Sequence, residues 1–320
     1  MQEYNIKNYL ENVKTVGMCG HIHPDGDCVG SCLGLYTYLK HNFSEISVDL
    51  YLQPIADSFH FLKYSDEIIH TADEDKEYDL FITLDVSADD RLGDFVKYFQ
   101  TAKNTLCIDH HISNPGIAKN NIIYPDFSSA SEVVYTILDE DKVDYDTANA
   151  LYLGIVHDTG VFKYPNTSRQ TMEIAGKLIA KGIPFNEIID NTFYEKTYVQ
   201  NQILGRTLME SVLFYDGMCI FSVVRREEFE FYNITTNDLD GIVEQMRVTK
   251  GVECAIFLYE TAELEYKVSL RSKKNIDVSK IASYFGGGGH MRAAGFNAKG
   301  TVYDVINNIS EQIELQLKEE

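Results

Sequence analysis

No apolar run in the sequence comes near the roughly 18–20 residues that a membrane-spanning helix needs, so no membrane partner is expected. The opening residues, MQEYNIKNYLENVK, mix acids, amides and lysines instead of setting a basic segment before an apolar one; no secretion signal is read there, and a cytoplasmic location follows. None of the six cysteines, Cys19, Cys28, Cys32, Cys107, Cys219 and Cys254, forms a C-x-x-C pair. That argues against a zinc or dithiol centre, and in their apolar surroundings the thiols read as reduced, buried small hydrophobes. Positive charge is scarce: 28 Lys and Arg stand against 49 Asp and Glu, a net charge of −21. Proteins that track long nucleic acid hold it through many Lys and Arg contacts to phosphate. Long nucleic acid is therefore excluded as a partner, while short RNA or a small phosphorylated nucleotide stays open if metal ions and a few local cations supply the positive field. Internal repeats and low-complexity tracts are absent as well.

What is present alternates. At 320 residues the chain exceeds the roughly 250–300 at which a single core stops growing, which predicts two domains. Short β-branched or apolar runs (15–21, 46–52, 79–87, 105–113) alternate with segments of helical spacing (28–42, 91–103, 131–141, 146–160, 168–182). This predicts an α/β fold: a mainly parallel sheet with helices on both faces, over residues 1–185. Ser129 with Glu132 reads as a capping box, and Gly160 as a helix stop. Residues 186–211 read as a helical connector. A smaller α/β domain follows over 212–320, with strands at 218–229, 252–261 and 265–274 and helices at 235–251 and 301–320.

Ionisable groups gather where strands or helices end. HIHPDGD (His21 to Asp27) follows the first strand; Asp85, the triplet Asp109-His110-His111, and Asp158 close three later elements. Strand ends on one sheet edge point at one cleft. Carboxylates mixed with imidazoles, and no thiolate, favour manganese, magnesium or a related octahedral ion. Crowded carboxylates without counter-ions repel one another. Two divalent cations would cancel the four charges of Asp25, Asp27, Asp85 and Asp158. Taken alone, PDGD is also an ordinary turn, with Gly26 free to let the backbone bend.

HIHPDGD, LDVS, DHH and HDTG resemble, in order and spacing, the four motifs of the DHH family of phosphoesterases. FGGGGHMRAAG resembles the signature of the DHH-associated substrate-binding domain, and the two-domain organisation is similar to the NrnA-type nanoRNase and pAp phosphatase subfamily. The resemblance implies His21, Asp25 and Asp85 on one ion and Asp27, Asp85, His110 and Asp158 on the other, with Asp85 shared. It implies His111 facing a substrate phosphate and Asp109 behind the imidazoles. Arg271 and His290 would bind a second phosphate, with Gly286, Gly287, Gly288 and Gly289 close to the nucleotide and offering N–H groups; Arg292 is a weaker candidate. The implied cofactors are two divalent ions, manganese first, with magnesium or cobalt as alternatives. The implied reaction is hydrolysis of short oligoribonucleotides to mononucleotides, and of pAp to AMP, by metal-activated water. A phosphodiesterase of linear or cyclic di-adenylate is the alternative. A non-catalytic nucleotide sensor is disfavoured because all six ligand positions are intact, and a homodimer is the one assembly entertained. His23 and His157, off the motif positions, read as exposed neighbours; Asp89, Asp90 and Arg91 read as a helix cap.

Overall fold

The computed structural model describes residues 4–73 and 75–318, so the last two residues of the expected C-terminal helix, Glu319 and Glu320, lie outside the described ones. The chain divides into two units, Met1–Glu195 and Lys196–Glu320. Among the described residues no helix is long and apolar enough to cross a membrane.

In the first unit, in chain order, lie β1 (Thr15–Cys19), α1 (Gly26–Asn42), β2 (Ser47–Tyr51), β3 (Leu80–Leu84), α2 (Val96–Thr101), β4 (Asn104–Asp109), β5 (Asn120–Ile123), α3 (Ala130–Ile137), α4 (Tyr145–Asp158), α5 (Arg169–Ile179) and α6 (Phe185–Ile189). The strands form one sheet in the order β2-β1-β3-β4-β5, and every pairing is parallel. Successive strand side chains alternate between faces. Val16, Met18, Leu80, Ile82, Leu84, Leu106 and Ile108 enter one core with α1, α3, α4 and α5, while Cys19, Tyr51 and Phe81 enter a second core with Leu92, Phe95 and Tyr98. Burial on both faces is why these strands read as continuous apolar runs. The chain runs to β2 on one side of β1 and returns to β3 on the other. The order therefore reverses between β1 and β3, and ligands of open α/β sheets bind at such a switch point, beyond the strands' carboxyl ends.

Two helices are held unusually close. A Cβ on Gly30 of α1 would lie 2.6 Å from the Ala150 carbonyl and 2.7 Å from the Gly154 nitrogen of α4, and one on Gly34 would strike Leu151. Near the start of α1, Gly26 faces His157, close to the end of α4. The helices therefore run antiparallel, and the N-terminus of α1 meets the C-terminus of α4.

Several local expectations need correction. The helix expected over 91–103 begins as a 3-10 stretch, Asp89–Phe95, broken at Gly93 (φ 57°) before α2. The kink serves the HIHPDGD loop: the Ile22 N–H donates to the Arg91 carbonyl (2.8 Å), and a Cβ on Gly93 would meet Ile22. Asp89 and Asp90 do not cap it, since the cap position is Ala88 and no side chain bonds there. The capping box is half formed: Ser129 Oγ accepts the Glu132 N–H, but the buried Glu132 carboxylate turns to Ser128 and Thr171. Gly26 is not a turn residue but the first residue of α1, and it is small because His157 Cγ would lie 2.2 Å from any Cβ.

The expected connector is interrupted. α6 and a π-helical turn, Asp190–Tyr194, end the first unit, and α7 (Tyr198–Met209) opens the second. β6 (Val212–Phe214), β7 (Cys219–Val224), α8 (Arg226–Tyr232), α9 (Ile242–Arg247), β8 (Cys254–Ala262), β9 (Glu265–Ser272), α10 (Val278–Tyr284), β10 (Gly288–His290), β11 (Ala293–Lys299) and α11 (Val302–Lys318) follow. The sheet order is β10-β11-β9-β8-β7-β6, parallel only between β7 and β8. α10 and α11 cover one face. RREEF, expected to finish a strand, forms α8, because Glu228 takes the Arg225 N–H and pairs with Arg206 (2.7 Å).

Candidate metal centre

The carboxyl ends of β1, β3 and β4 carry His21, Asp85 and the Asp109-His110-His111 triplet, and the close α1–α4 pair adds Asp25, Asp27 and Asp158. Two groups result. His21, Asp25 and Asp85 bring one ligand atom each within 4.8 Å of one another, and so do Asp27, His110 and Asp158. Asp85 lies between the groups: its Oδ2 is 3.5 Å from His21 Nε2 and its Oδ1 is 3.5 Å from His110 Nε2. His110 Nε2 is also 3.5 Å from Asp158 Oδ2 and 3.9 Å from Asp27 Oδ2.

Each group is fixed from behind. The Asp25 carboxylate caps α1, accepting the N–H of Asp27 and Cys28. Asp27, 2 % exposed, accepts the N–H of Ala130 (2.6 Å) and Ser131 (2.9 Å), the free donors at the start of α3. His21 Nδ1 donates to the Ile22 carbonyl (2.9 Å), which leaves the Nε2 lone pair for a ligand. Asp85 has a left-handed backbone (φ 58°), so the chain turns sharply as it leaves β3.

The donor set fits divalent cations, and one atom argues it most directly. Asp85 is 3 % exposed, yet its Oδ1 is buried without any hydrogen-bond partner. A buried carboxylate oxygen left so costs free energy unless a cation satisfies it. Without a cation the carboxylates draw the imidazoles toward their protonated form. Burial alone would lower the His21 and His110 pKa values, but the carboxylates outweigh it: Asp25 and Asp85 raise His21, and Asp85, Asp27 and Asp158 raise His110 to about 10. Burial, reinforced by Asp85 and Asp25, pushes Asp158 up to about 6. Metal binding at such a site releases protons.

His111, 42 % exposed at its side chain, differs from its neighbour. Its Nδ1 donates to Asp109 Oδ1 (2.7 Å), which leaves Nε2 for another partner. Asp109 is fully buried. His157 corrects an expectation: it is not an exposed neighbour but half-buried, edge-on to Phe59 and Phe193 and bonded through Nε2 to Thr192 (2.9 Å). His23 is exposed.

In the second unit His290 pairs with Ala293 and Ala293 with Arg271, one row across β10, β11 and β9. Residues directly opposite share a face. The next row on that face is Gly288, Gly295 and Ser269, two of them without side chains. A Cβ on Gly288 would meet nothing within 4 Å. The glycine run offers fewer free N–H donors than expected: the N–H groups of Gly286 and Gly287 are taken by the carbonyls of Ser283 and Ala282, while Gly288 and Gly289 belong to the edge strand β10. Gly287 and Gly289 have no room for a Cβ against β11. Arg292 donates through Nη1 to the Ile276 carbonyl (3.0 Å), which holds the approach to α10.

The family model described as the DHH family, N-terminal domain, matches residues 15–155, and that of the DHHA1 domain matches residues 218–319. The chain carries a DHH domain followed by a DHHA1 domain. Curated relatives include the bifunctional oligoribonuclease and PAP phosphatase NrnA of Thermus thermophilus, 28 % identical over 89 % of this chain and 84 % of that one. The protein of the same name in Bacillus subtilis is 26 % identical over 95 % of each chain. Among solved structures, an exopolyphosphatase-related protein from Bacteroides fragilis shares the fold, with a TM-score of 0.86 at 24 % identity over 97 % of this chain and 94 % of that one.

Within this DHH chain, sequence reasoning missed the residues that hold the ligands in place. Gly26, Gly30 and Gly34 form a G-x-x-x-G-x-x-x-G pattern, legible in principle as a close helix contact. Asn114, whose Nδ2 donates to Asp109 Oδ2, carried no such signal.

Proposed function

We propose that this chain is a divalent-metal phosphoesterase that hydrolyses short oligoribonucleotides to mononucleotides and pAp to AMP. The observation that carries this reading is the buried Oδ1 of Asp85, which accepts no hydrogen bond and lies between two donor groups. His21, Asp25 and Asp85 would hold one ion, and Asp27, Asp85, His110 and Asp158 the other. Oxygen and imidazole donors without sulfur suit manganese, with magnesium or cobalt next. Bound divalent ions supply a water of lowered pKa and absorb charge on the phosphoryl oxygens.

The protein's own groups do the rest. Asp109 accepts the Nδ1 proton of His111 and favours the charged ring, so that a doubly protonated imidazole donates from Nε2 to a phosphate oxygen as charge develops there. We assign hydrolysis to the first unit and substrate reading to the second. There the Arg271 guanidinium and His290 would bind a substrate phosphate beside the side-chain-free floor of Gly288 and Gly295. The names of the relatives support the substrate class.

A substrate panel with manganese tests it: di- to pentanucleotide RNA, pAp, pApA, cyclic di-AMP, pyrophosphate and long RNA. Short RNA and pAp should lead. A ranking headed by pApA or cyclic di-AMP would replace this reading with di-adenylate hydrolysis, and binding without turnover would make the chain a sensor.

A further inference from the structure

Asn114 lies five residues beyond Asp109, outside the motif, and it has no direct place in the chemistry above. Its side-chain amide nevertheless joins two parts of the centre. Nδ2 donates to Asp109 Oδ2 (2.6 Å) and to the carbonyl of Val86 (3.0 Å), the residue that follows Asp85. The amide orientation is not in question, because its Oδ1 accepts the Gly116 N–H (2.8 Å), so the other end must be the donor. The Asn114 N–H closes the turn by donating to the His111 carbonyl (3.1 Å).

We infer that Asn114 is a positioning residue that locks the Asp109–His111 pair to the turn carrying Asp85. Asp109 is fully buried and has two oxygens to satisfy. Asn114 occupies one, so the other is left for His111 Nδ1. The second proton of the same NH2 group ties that assembly to Val86, where the left-handed Asp85 leaves β3. His111 Nδ1 and Asp85 Oδ1, which belong to different strand ends, are thereby held 3.6 Å apart. Without the amide, Asp109 could rotate to use either oxygen, and the His111 ring would lose its fixed tautomer and its register against Asp85.

The inference rests on the proposed hydrolysis, so its test has an arm that needs no turnover. In metal-free protein labelled with 15N-histidine, the His111 Nδ1–H resonance, assigned by its loss in His111→Ala, should be protected from solvent exchange. Asn114→Ala should abolish that protection. With metal and substrate, Asn114→Ala should lower kcat about 10–100-fold, the usual cost of removing an outer-shell partner, with KM little changed. In a His111→Ala background the same substitution should cost much less, because its effect runs through that ring. Should Asn114→Ala fold poorly, Asn114→Asp keeps the volume and the Gly116 contact while setting an oxygen against Asp109 and Val86, and the same losses are expected. Retained protection in both variants, or a kcat loss that adds in full to His111→Ala, would overturn the assignment. A wild-type chain inactive on every substrate but with a protected His111 proton would overturn the hydrolase reading and leave the lock standing.

Discussion

The two units solve the problem of holding phosphate chemistry in opposite ways. In the first, charged groups from separate stretches of chain meet at the ends of three strands and two helices; His21, Asp27 and Asp85 are buried, and backbone N–H groups or carbonyls brace His21, Asp25 and Asp27. In the second, Arg271 and His290 sit on one sheet face, set in one row on either side of Ala293 by strand register. A buried ionic cluster is intolerant, since losing one member strands the others in low dielectric. An open row is graded, since water replaces what is removed.

The largest expected effect tests the intolerant half. Asp85→Asn keeps shape but withdraws the carboxylate shared by both groups, and kcat should fall by about 10³-fold or more, at or beyond the loss seen when a single oxyanion-stabilising donor is removed. Metal removal gives a second reading of the same residue. An ion at about 100 times its Kd stabilises the folded state by about 2.7 kcal/mol, so manganese should raise the wild-type Tm and chelation should reverse the rise. Asp85→Asn should show no such rise. A variant that keeps both turnover and the metal-dependent Tm would remove the basis for the site.

The graded half should respond less. Hydrogen bonds to charged groups contribute about 1.5–3 kcal/mol, so Arg271→Ala should raise KM for short RNA about 10–100-fold, and Arg271→Lys less. The metal-dependent Tm rise should be unchanged, which a titration of both variants with manganese will check. If Arg271→Ala instead abolished kcat at saturating substrate, the contrast between the units would fail.

The same contrast explains what the sequence made legible. Residue types at strand ends are local properties, so the clusters could be located from the chain alone, while the choice of His21 over His23 and of His110 over His111 rests on the resemblance to the family motifs. Strands buried on both faces declare themselves as apolar runs; β5, with the residues NNII at the sheet edge, does not. What stayed hidden was long-range. Nothing near residue 157 reveals that its ring fills the space beside Gly26, and Gly93 looks like a flaw in a helix until Ile22 is seen against it. The glycine run carries no strand signal of its own, because its pairing with Ala293–Gly295 is a tertiary event.

Packing offers a middle-sized test. Gly30→Ala would drive a methyl group into the Ala150 carbonyl and Gly154 nitrogen, backbone atoms that cannot turn aside. Overpacking of this kind costs about 1–3 kcal/mol. Because α1 carries Asp25 and Asp27 while α4 carries Asp158, manganese affinity should weaken together with stability. Gly176→Ala in α5 is the contrast: a Cβ there meets nothing within 4 Å, so the substitution should stabilise by about 0.4–1 kcal/mol and leave affinity alone. Urea unfolding paired with metal titration reads both. Equal effects at the two glycines would mean that the α1–α4 contact does not set the ligand spacing.

The smallest expected effect lies at the far end of α4. Asp144 caps that helix by accepting the Thr147 N–H (2.9 Å), and its side chain also pairs with His41. Replacing a capping Asp with Ala costs about 1 kcal/mol. Burial would raise the Asp144 pKa, but the Thr147 N–H and His41 outweigh it and hold the carboxyl below its ordinary value of 3.8. The folded state therefore binds fewer protons than the unfolded one, so the ionised cap contributes fully above pH 3.8. Its contribution fades as pH falls through the lowered folded pKa. Wild type and Asp144→Ala should accordingly differ in urea stability at neutral pH and converge in acid. Fourteen residues of helix, about 20 Å at 1.5 Å per residue, separate the cap from Asp158, so kcat with manganese should not change. A fall in kcat without a fall in stability would mean that α4 transmits strain along its length to the ligand it presents, and that the first unit tolerates still less than its buried charges suggest.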